Sequence, residues 1–383
     1  MAWMRVGMRI LVTGGAGFIG SNFVRYLLRE RPECQVVVLD KLTYAGNERN
    51  LSAVRDDPRL TFIQGDICDQ EVVRQAMHGC QWALNFAAES HVDRSILDPG
   101  AFIRTDIEGA YVLLEAAREL GIERFIQIST DEVYGNACAP DGSSRPSLES
   151  DPLMPLSPYG ASKAGADRLA YAYWATYGLP VVITRCANNY GPYQYPEKQL
   201  PLFIINALAE HPLPIYGDGS HLRDWIHVED HCAALDAILS APGEVVHGEV
   251  FNIGANEERS TLENARLILE LLGKPESLLA WAPDRPGHVR RHAVNTAKIR
   301  ERLGWQPQIS FAEGIATTID WYRDNSEWLA EIVARKDAFL EAALSAQTVY
   351  PLQPVQPNST LAASSPAKAA PSTSSVTHQF SRR

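Results

Sequence analysis

The sequence lacks three features that each mark a class of protein. None of its six cysteines stands in a CxxC pair, so buried thiols are favoured over disulfides or a zinc site. No uninterrupted apolar run is long enough to span a membrane, and residues 1–7 lack the apolar core of a signal peptide. Basic residues are in deficit, with 35 Lys and Arg against 46 Asp and Glu. We therefore expect a soluble, cytoplasmic protein that binds neither nucleic acid nor membranes.

Large apolar residues are scarce at one end of the chain. From residue 350 to residue 383 the sequence is rich in Pro, Ser, Ala and Thr. Such a segment cannot bury enough apolar surface to offset the entropy lost on ordering. We therefore expect a disordered tail over residues 350–383, preceded by enough chain for one large or two moderate domains.

Up to about residue 185, short β-rich runs alternate with longer helical patterns. The runs carry apolar residues on both faces, as expected of strands that are buried on both faces of a parallel sheet. We therefore predict an α/β fold with a doubly wound parallel sheet. The predicted strands are Arg9–Thr13, Gln35–Leu39, Leu60–Gln64, Trp82–Phe86, Arg124–Ser129 and Val181–Arg185, and Gly109–Leu120 is a predicted helix.

The turn after the first predicted strand is rich in glycine. Gly14, Gly17 and Gly20 follow the strand directly and open a helical pattern. Glycines at this spacing allow a tight turn and let the backbone approach a pyrophosphate. Asp40 ends the second strand, where a carboxylate can bind ribose hydroxyls and repel a 2′-phosphate. The pattern predicts a Rossmann domain that binds NAD rather than NADP; the alternative for Asp40 is a carboxylate that caps the loop.

Ionisable side chains cluster after the fifth predicted strand. Thr130, Asp131 and Glu132 lie at its end, which is the edge of the sheet where ligands bind. Tyr159 and Lys163 stand four residues apart, after a Ser-Pro pair that indicates a helix start. A nearby ammonium lowers the pKa of a phenol, ordinarily about 10, and makes it a better base. These five are the candidate catalytic residues; the alternatives are a helix-surface pair and a loop cap.

Seven motifs together resemble one enzyme family. In chain order they are TGGAGFIG, NFAAESHVDRS, STDEVYG, SPYGASK, NNYGPYQYPEK, RDWIHVEDH and DRPGH, spread from about Met8 to Trp328. They are similar to motifs of the extended short-chain dehydrogenase/reductase superfamily. Within it they resemble the nucleoside-diphosphate-glucose 4,6-dehydratases, in particular those that act on dTDP-glucose. The Asp-Glu pair separates such dehydratases from epimerases, which lack it.

The resemblance implies a hydro-lyase of deoxysugar biosynthesis, generally a homodimer, with NAD as cofactor. Tyr159 would deprotonate the glucose 4-hydroxyl, with Thr130 bound to the same oxygen, while hydride passes from C4 to NAD. Glu132 would remove the C5 proton, which the new ketone acidifies. Asp131 would protonate the departing C6 hydroxyl. Hydride return to C6 would leave a 4-keto-6-deoxy sugar.

The resemblance also implies binding residues for both ligands. The implied cofactor-binding residues are Gly14, Gly17, Phe18, Ile19, Gly20, Asp40, Lys41, Leu42, Thr43, Asp66, Ile67, Ala87, Ala88, Glu89, Thr105, Tyr159, Lys163 and Asn189. The implied substrate-binding residues are Ser90, His91, Thr130, Asn188, Lys198, Gln199, Pro214, Ile215, Tyr216, Arg223, His288, Arg290 and Arg291. Among side chains, arginine suits a diphosphate because its guanidinium forms paired charge-assisted hydrogen bonds.

Several alternatives stay open on the substrate side. His91 could equally be a structural histidine, and Arg223 could be part of a surface ion pair with the next residue. Val289 and His292 stand where the family usually has Asp and Tyr, and Ser260 where relatives often have Asn. These departures leave UDP-glucose or CDP-glucose as alternative substrates.

Rival functions and a metal site are also open to test. The rival reactions are 4-epimerisation and decarboxylation of a nucleotide sugar, and a rival of another class is an inactive NAD-binding regulator. His288 and His292 have H-x-x-x-H spacing, but no third ligand is indicated nearby, so we predict no metal site.

The regular alternation of β-rich runs and helical patterns ends after residue 185, which indicates a second domain. We predict that residues 8–187 and about 225–252 form the NAD-binding Rossmann domain. Residues 188–224 and 253–335 are predicted to form a smaller α/β domain that binds the nucleotide sugar.

Overall fold

The structure, a computed structural model, describes residues 7–137, 143–284, 287–335 and 337–344. The tail predicted over residues 350–383 lies outside the described residues. Among the helices that the structure describes, none is long and apolar enough to cross a membrane.

The described residues contain thirteen strands, and seven of these strands form one sheet. The strands are β1 (Arg9–Thr13), β2 (Gln35–Asp40), β3 (Leu60–Gln64), β4 (Trp82–Asn85), β5 (Arg124–Thr130), β6 (Val181–Cys186), β7 (Asn188–Tyr190), β8 (Leu213–Tyr216), β9 (Leu222–His227), β10 (Val250–Ile253), β11 (Glu258–Ser260), β12 (Leu279–Ala282) and β13 (Arg291–His292). The order in the large sheet is β10-β6-β5-β4-β1-β2-β3, and every pair is parallel. The chain builds outward from β1 in both directions, so the predicted doubly wound α/β fold is confirmed.

The six predicted strands are confirmed to within one residue at each end. They could be recognised because their residues are apolar on both faces; all seven positions of β5, for example, are buried. The predicted helix Gly109–Leu120 also has the bounds observed.

Helices pack on both faces of the large sheet. The α-helices of the described residues are α1 (Phe18–Glu30), α2 (Gln70–Met77), α3 (Val92–Leu97), α4 (Pro99–Phe102), α5 (Gly109–Leu120), α6 (Pro158–Tyr177), α7 (Gln199–Leu208), α8 (Val228–Ser240), α9 (Gly243–Val246), α10 (Thr261–Leu272), α11 (Ala297–Leu303), α12 (Phe311–Asp324), α13 (Ser326–Ala334) and α14 (Ala338–Leu344). Ile10 and Val12 of β1 lie in one core with α1 and α8. Leu11, between them, lies in a second core with α2, α5 and α6. This alternation follows from the two-residue period of a strand.

A smaller sheet lies around β9. This strand pairs antiparallel with β11 and parallel with β7 and β13, while β8 and β12 form a separate parallel pair. A third apolar core joins these strands to α7, α10 and α12. The described residues nonetheless form one compact unit, so the division into a cofactor domain and a substrate domain stays a prediction.

Candidate active site

One cavity lies at the carboxyl edge of the seven-stranded sheet. It is lined by the ends of β2, β5 and β6 and by the loops that follow β1 and β4. All five predicted catalytic residues line it, namely Thr130, Asp131, Glu132, Tyr159 and Lys163. Because ligands bind at this edge of open parallel sheets, the cavity is the candidate active site.

The glycine turn after β1 forms one wall of the cavity. Gly14 has a φ of 66°, and a Cβ atom there would lie 2.6 Å from the backbone nitrogen of Ala87. A Cβ atom on Gly20 would lie 2.3 Å from the carbonyl oxygen of Gly14. Larger residues would therefore displace the backbone, so glycine is needed at both positions. The residues fit the cradle that a dinucleotide pyrophosphate requires.

Asp40 has a structural role in the same wall. Its carboxylate accepts hydrogen bonds from the backbone N–H groups of Ala16 at 2.9 Å and Leu42 at 2.8 Å. Burial raises its pKa, and these two hydrogen bonds oppose the rise. The loop-capping interpretation of Asp40 is thus supported, while the carboxylate also lines the cavity. Each carboxylate oxygen has a second lone pair, so the capping role leaves room for a hydrogen bond from a ribose hydroxyl. The contact with the ribose stays a prediction.

The helix that carries Tyr159 and Lys163 begins as the sequence predicts. Ser157 is the N-cap of α6 and accepts a hydrogen bond from a backbone N–H of the first turn, and Pro158 is its first residue. The ammonium of Lys163 donates to the carbonyl of Ile128 at 2.7 Å, which ties α6 to β5. Tyr159 and Lys163 therefore face the end of β5, where the other catalytic candidates lie.

The surroundings of Tyr159 raise the pKa of its phenol. Burial raises its pKa well above 10, the negative charge of Glu132 raises it further, and a hydrogen bond with Thr130 opposes the rise. Burial also lowers the pKa of Lys163, while the charge of Asp106 opposes that change. Desolvation therefore dominates the pKa of the phenol among these side chains, and the expected lowering by Lys163 stays a prediction.

Asp131 and Glu132 are adjacent but lie in different surroundings. Asp131 is 3% exposed, and burial followed by the charge of Glu132 raises its pKa well above the ordinary value. One oxygen of Asp131 accepts a hydrogen bond from Thr130 at 3.2 Å; the other has no hydrogen-bond partner among the described residues. The side chain of Glu132 is 16% exposed. The pair therefore has one carboxyl that holds a proton beside a second that is open to the cavity, which suits paired acid and base roles.

Asp106 is a functional candidate that no sequence motif marked. It lies in the π-helical turn Ile103–Glu108, a kind of turn that is frequent at functional sites. Its carboxylate accepts hydrogen bonds from the hydroxyl of Ser162 at 2.5 Å and the backbone N–H of Glu89 at 2.9 Å. Burial raises its pKa to about 6, and the charge of Lys163 opposes this rise. Asp106 thus joins the cofactor loop to the catalytic helix.

A second group that the sequence did not reveal closes the side of the cavity. Arg94 in α3 pairs with Glu197 at 2.7 Å and with Asp337 at 2.6 Å. Glu197 lines the cavity, and the neighbouring Lys198 donates to the carbonyl of Ser90. These contacts join three distant segments of the chain, which sequence spacing alone does not indicate.

The predicted ligand-binding residues divide by their place in the fold. All the predicted cofactor residues except Leu42 line the cavity, as do Ser90, Thr130, Asn188 and Lys198 of the predicted substrate residues. The predicted residues outside its lining are Leu42, His91, Gln199, Pro214, Ile215, Tyr216, Arg223, His288, Arg290 and Arg291. The lining residues that were not predicted are Leu39, Ala45, Gly46, Gly65, Phe86, Val92, Ile128, Ser129, Cys186, Ala187, Gln194, Tyr195 and Glu197. Most of these adjoin predicted residues, so neighbouring positions were the signal that could have found them.

The residues outside the lining have contacts of their own. His91 is the N-cap of α3, where its Nδ1 accepts a hydrogen bond from the N–H of Asp93 at 3.2 Å. Ile215 is fully buried in the third core. Arg291 donates to the carboxylate of Glu258 at 2.6 Å. The structural interpretation of His91 is therefore supported, and the substrate contacts of all these residues stay predictions.

Three possible metal ligands lie together outside the cavity: His221, Asp284 and His288, with donor atoms within 4.8 Å of one another. The carboxylate of Asp284 lies 2.6 Å from Nδ1 of His288 and 3.4 Å from Nε2 of His221. The two imidazoles stack at 3.6 Å with 14° between their planes. A ring nitrogen binds a metal in its ring plane, so nearly parallel rings must turn before both can reach one ion. The prediction of no metal site stays a prediction.

The fold and the cavity together define a class of protein. A parallel sheet with a glycine turn, and a Tyr-x-x-x-Lys pair beside the end of β5, are the parts of an extended short-chain dehydrogenase/reductase. A buried acid next to a second carboxyl adds proton chemistry beyond the oxidation of an alcohol. The model of the GDP-mannose 4,6 dehydratase family matches residues 11–318, and the chain belongs to that family.

Individual relatives agree with this assignment. The chain is 49% identical to dTDP-glucose 4,6-dehydratase of Streptomyces niveus over 325 residues, which cover 84% of this chain and 94% of that protein. It is 47% identical to DesIV, a dTDP-glucose 4,6-dehydratase from Streptomyces venezuelae solved with NAD bound, with a TM-score of 0.81 and coverage of 85% and 100%. UDP-glucose 4-epimerase of Thermotoga maritima, solved with UDP-glucose, is 31% identical with a TM-score of 0.76 and coverage of 83% and 100%. Identity is therefore higher to these dehydratases than to this epimerase.

Proposed function

We propose that the chain catalyses the NAD-dependent dehydration of dTDP-glucose to dTDP-4-keto-6-deoxyglucose. The observation that carries this proposal is the buried carboxyl of Asp131, whose pKa burial raises, beside Glu132 at the edge of the sheet. An oxidation at C4 alone needs no such acid, whereas expulsion of a hydroxyl group does. Relatives that carry this activity in their names include those of Streptomyces niveus and Escherichia coli, which are 49% and 44% identical to the chain.

The residues of the glycine turn fit NAD. Gly14, Gly17 and Gly20 bring backbone N–H groups and the start of α1 to the pyrophosphate. Asp40, Lys41 and Thr43 lie on the side where the adenosine ribose binds in this fold. When bound there, NAD would supply the hydride acceptor for C4 and the hydride donor for C6.

The oxidation step is assigned to the residues at the ends of β5 and α6. This step needs Tyr159 as its phenolate, and the positive charges of Lys163 and of bound NAD would oppose the rise that burial causes in the phenol pKa. As the phenolate, Tyr159 takes the proton of the 4-hydroxyl, and Thr130 binds the same oxygen. Lys163 lies one helical turn from Tyr159 and places its positive charge on the same helix face. The new ketone then acidifies the proton on C5.

The elimination step is assigned to the two carboxyls. Glu132 removes the C5 proton, and Asp131 donates a proton to the C6 oxygen, which leaves as water. When hydride returns to C6, Glu132 gives a proton back to C5. Over the cycle, the proton that Tyr159 removes replaces the one that Asp131 donates, so the reaction releases one water and leaves the protein unchanged.

The nucleotide-sugar contacts and the base preference are part of the same proposal. Asn188 and Lys198 line the cavity and suit the sugar and its diphosphate. The bases of UDP-glucose and CDP-glucose are the alternatives, because Val289, His292 and Ser260 depart from the family pattern. A 4-epimerase or a decarboxylase would share the oxidation at C4 but would not use Asp131 as an acid.

Product analysis tests the proposal directly. The purified chain with NAD is incubated separately with dTDP-, UDP- and CDP-glucose, and the sugars are identified by NMR. We expect a 4-keto-6-deoxy sugar, formed fastest from dTDP-glucose. A galactose epimer without loss of the C6 hydroxyl would contradict the proposal, and faster reaction of UDP- or CDP-glucose would change the substrate but keep the mechanism.

The cellular setting completes the proposal. We propose a cytoplasmic homodimer, in which residues 188–224 and 253–335 hold the nucleotide sugar and residues 8–187 and about 225–252 hold NAD. Light scattering of the purified protein would show a mass of twice 42.3 kDa if the homodimer is right.

A further inference from the structure

The strand β13 lies directly against the segment that follows the acid-bearing turn, Asp131–Tyr134. The backbone N–H of Ala137 donates to the carbonyl of Arg291 at 3.0 Å. The N–H of Arg290 donates to the side-chain oxygen of Asn136 at 2.9 Å. These bonds fix β13 at a set distance from Asp131 and Glu132, although about 155 residues separate the two segments.

Two basic side chains of the small sheet face the two acids. His292 in β13 pairs in register with Arg223 in β9, and paired residues of neighbouring strands project from the same face. The Nδ1 atom of His292 lies 3.9 Å from a carboxylate oxygen of Glu132. The charge of Arg223 opposes the rise that burial causes in the pKa of Asp131. Each acid therefore has a basic partner in one strand pair.

We propose that His292 is a positioning residue for Glu132, and that its imidazole orients the carboxylate that removes the C5 proton. The inference rests on the proposed function, since it concerns the elimination step. At 3.9 Å the two groups are in ion-pair range but beyond a hydrogen bond, and such contacts often tighten when substrate binds. His292 is 2% exposed, so water screens its interaction with Glu132 only weakly.

Other charged groups around His292 are engaged elsewhere. Glu258 is bound by Arg291, and Asp224 accepts a hydrogen bond from the backbone N–H of Glu257 at 3.0 Å. Arg259 of β11 pairs in register with Arg223 and so projects from the same face as His292, whereas Asp224, Glu258 and Arg291 stand at alternate positions and project from the other face. The charged and titratable groups on the side of His292 are therefore Arg223, Arg259 and, from the acid-bearing turn, Asp131 and Glu132. Within this set, Glu132 lies in ion-pair range of the imidazole.

Two variants separate a positioning role from a purely structural one. His292→Leu removes the ring nitrogens but keeps a buried apolar side chain. His292→Asn keeps an N–H donor close to the place of Nδ1 and serves as the matched control. For the wild type and both variants, C4 oxidation is followed by the absorbance of reduced nicotinamide, and elimination by release of the 4-keto-6-deoxy product. Both are measured from pH 5 to pH 8, the range in which histidines titrate.

We expect His292→Leu to slow elimination by at least about tenfold, the size of a lost hydrogen bond to a charged group. C4 oxidation should change by less than about twofold, because its reacting groups are Tyr159 and Thr130. His292→Asn should recover most of the elimination rate, and the pH profile of that step in His292→Leu should differ from that of the wild type, because a basic group next to Glu132 has been removed.

Two outcomes would overturn the role of His292. One is an elimination rate and pH profile in His292→Leu that match the wild type. The other is an equal loss of oxidation and elimination in both variants, which indicates structural damage. Failure of the wild type to convert dTDP-, UDP- or CDP-glucose would instead refute the proposed function, and it is seen before the variants are compared.

Discussion

Replacing Arg185 with methionine should destabilise the protein by about 3–5 kcal/mol, the usual cost of breaking a buried ion pair. Arg185 is 1% exposed and donates to the two carboxylate oxygens of Asp167 at 2.8 and 3.1 Å. It also donates to the phenol oxygen of Tyr134 at 2.7 Å. Asp167 lies in α6 and Tyr134 ends the acid-bearing turn, so one guanidinium joins the two catalytic elements.

The size of the effect follows from what Arg185→Met leaves behind. Asp167 is fully buried, and its other cationic partner, Arg168, has a side chain that is 47% exposed. Water screens that second pair, so it cannot compensate for the loss of the first. The double variant Arg185→Met, Asp167→Leu removes both charges, and it should be more stable than Arg185→Met alone.

The stabilisation by this pair should also depend on pH. Burial is the largest single influence on the pKa of Asp167 and raises it, but the hydrogen bonds and charges of Arg185 and Arg168 together outweigh burial, so the pKa in the folded protein lies below 3.8. A carboxyl with a lowered pKa contributes its full stabilisation above the unfolded value and loses it as the pH falls through the folded value. The pair should therefore stabilise the fold fully at neutral pH and progressively less below about pH 4.

Urea unfolding followed by circular dichroism measures these differences as free energies of unfolding. The wild type, the single variant and the double variant are compared at pH 7. A single variant within about 1 kcal/mol of the wild type would refute the reasoning, since that is the range of a solvent-screened pair. A double variant as unstable as the single variant would refute it as well.

Three further changes have definite expected outcomes. Gly20→Ala puts a Cβ atom 2.3 Å from the carbonyl oxygen of Gly14. The overpacking cost of about 1–3 kcal/mol should lower the affinity for NAD by about ten- to a hundredfold, as measured by calorimetry. Burial raises the pKa of Asp106 to about 6, so the rate of C4 oxidation should fall as the pH drops through about 6. Asp106→Asn keeps a hydrogen-bond partner for Ser162 but does not titrate, so its oxidation rate should not fall in this pH range. Burial lowers the pKa of His231 to about 3, so the unfolded chain binds a proton below about pH 6.5 that the folded state excludes. Protonation of the unfolded state should therefore lower the free energy of unfolding by about 2 kcal/mol at pH 5, measured by thermal or urea unfolding. The variant His231→Gln should lack that pH dependence.

The large sheet could be predicted because its signal is local. Each of its first six strands is a short run of apolar residues between helical patterns, and β5 is buried at all seven positions. The order of the strands is not local. Val250 in β10 pairs with Ile183 in β6, 67 residues earlier in the chain. The strand β13 has two residues, Arg291 and His292, which is too short for any periodic pattern.

The catalytic candidates could be predicted because they lie where strands and helices end. Glycines after β1 and acids after β5 follow the rule that ligands bind at the carboxyl edge of a parallel sheet. Asp106 could not be found in this way, because it lies inside a helical segment and reaches the site through a π turn. The contact of Arg94 with Asp337 spans 243 residues, and only the tertiary structure brings them together.

The central claim is that Asp131 and Glu132 act after oxidation, as acid and base of one elimination. A single-turnover reaction of Asp131→Asn and Glu132→Gln with NAD and dTDP-glucose tests it most directly, with reduced nicotinamide and 4-keto-6-deoxy product followed in the same sample. We expect reduced nicotinamide to form and persist in both variants, while product formation slows by about a hundred- to ten-thousandfold. Product formed at the wild-type rate by both variants, or no reduced nicotinamide in either, would contradict the claim.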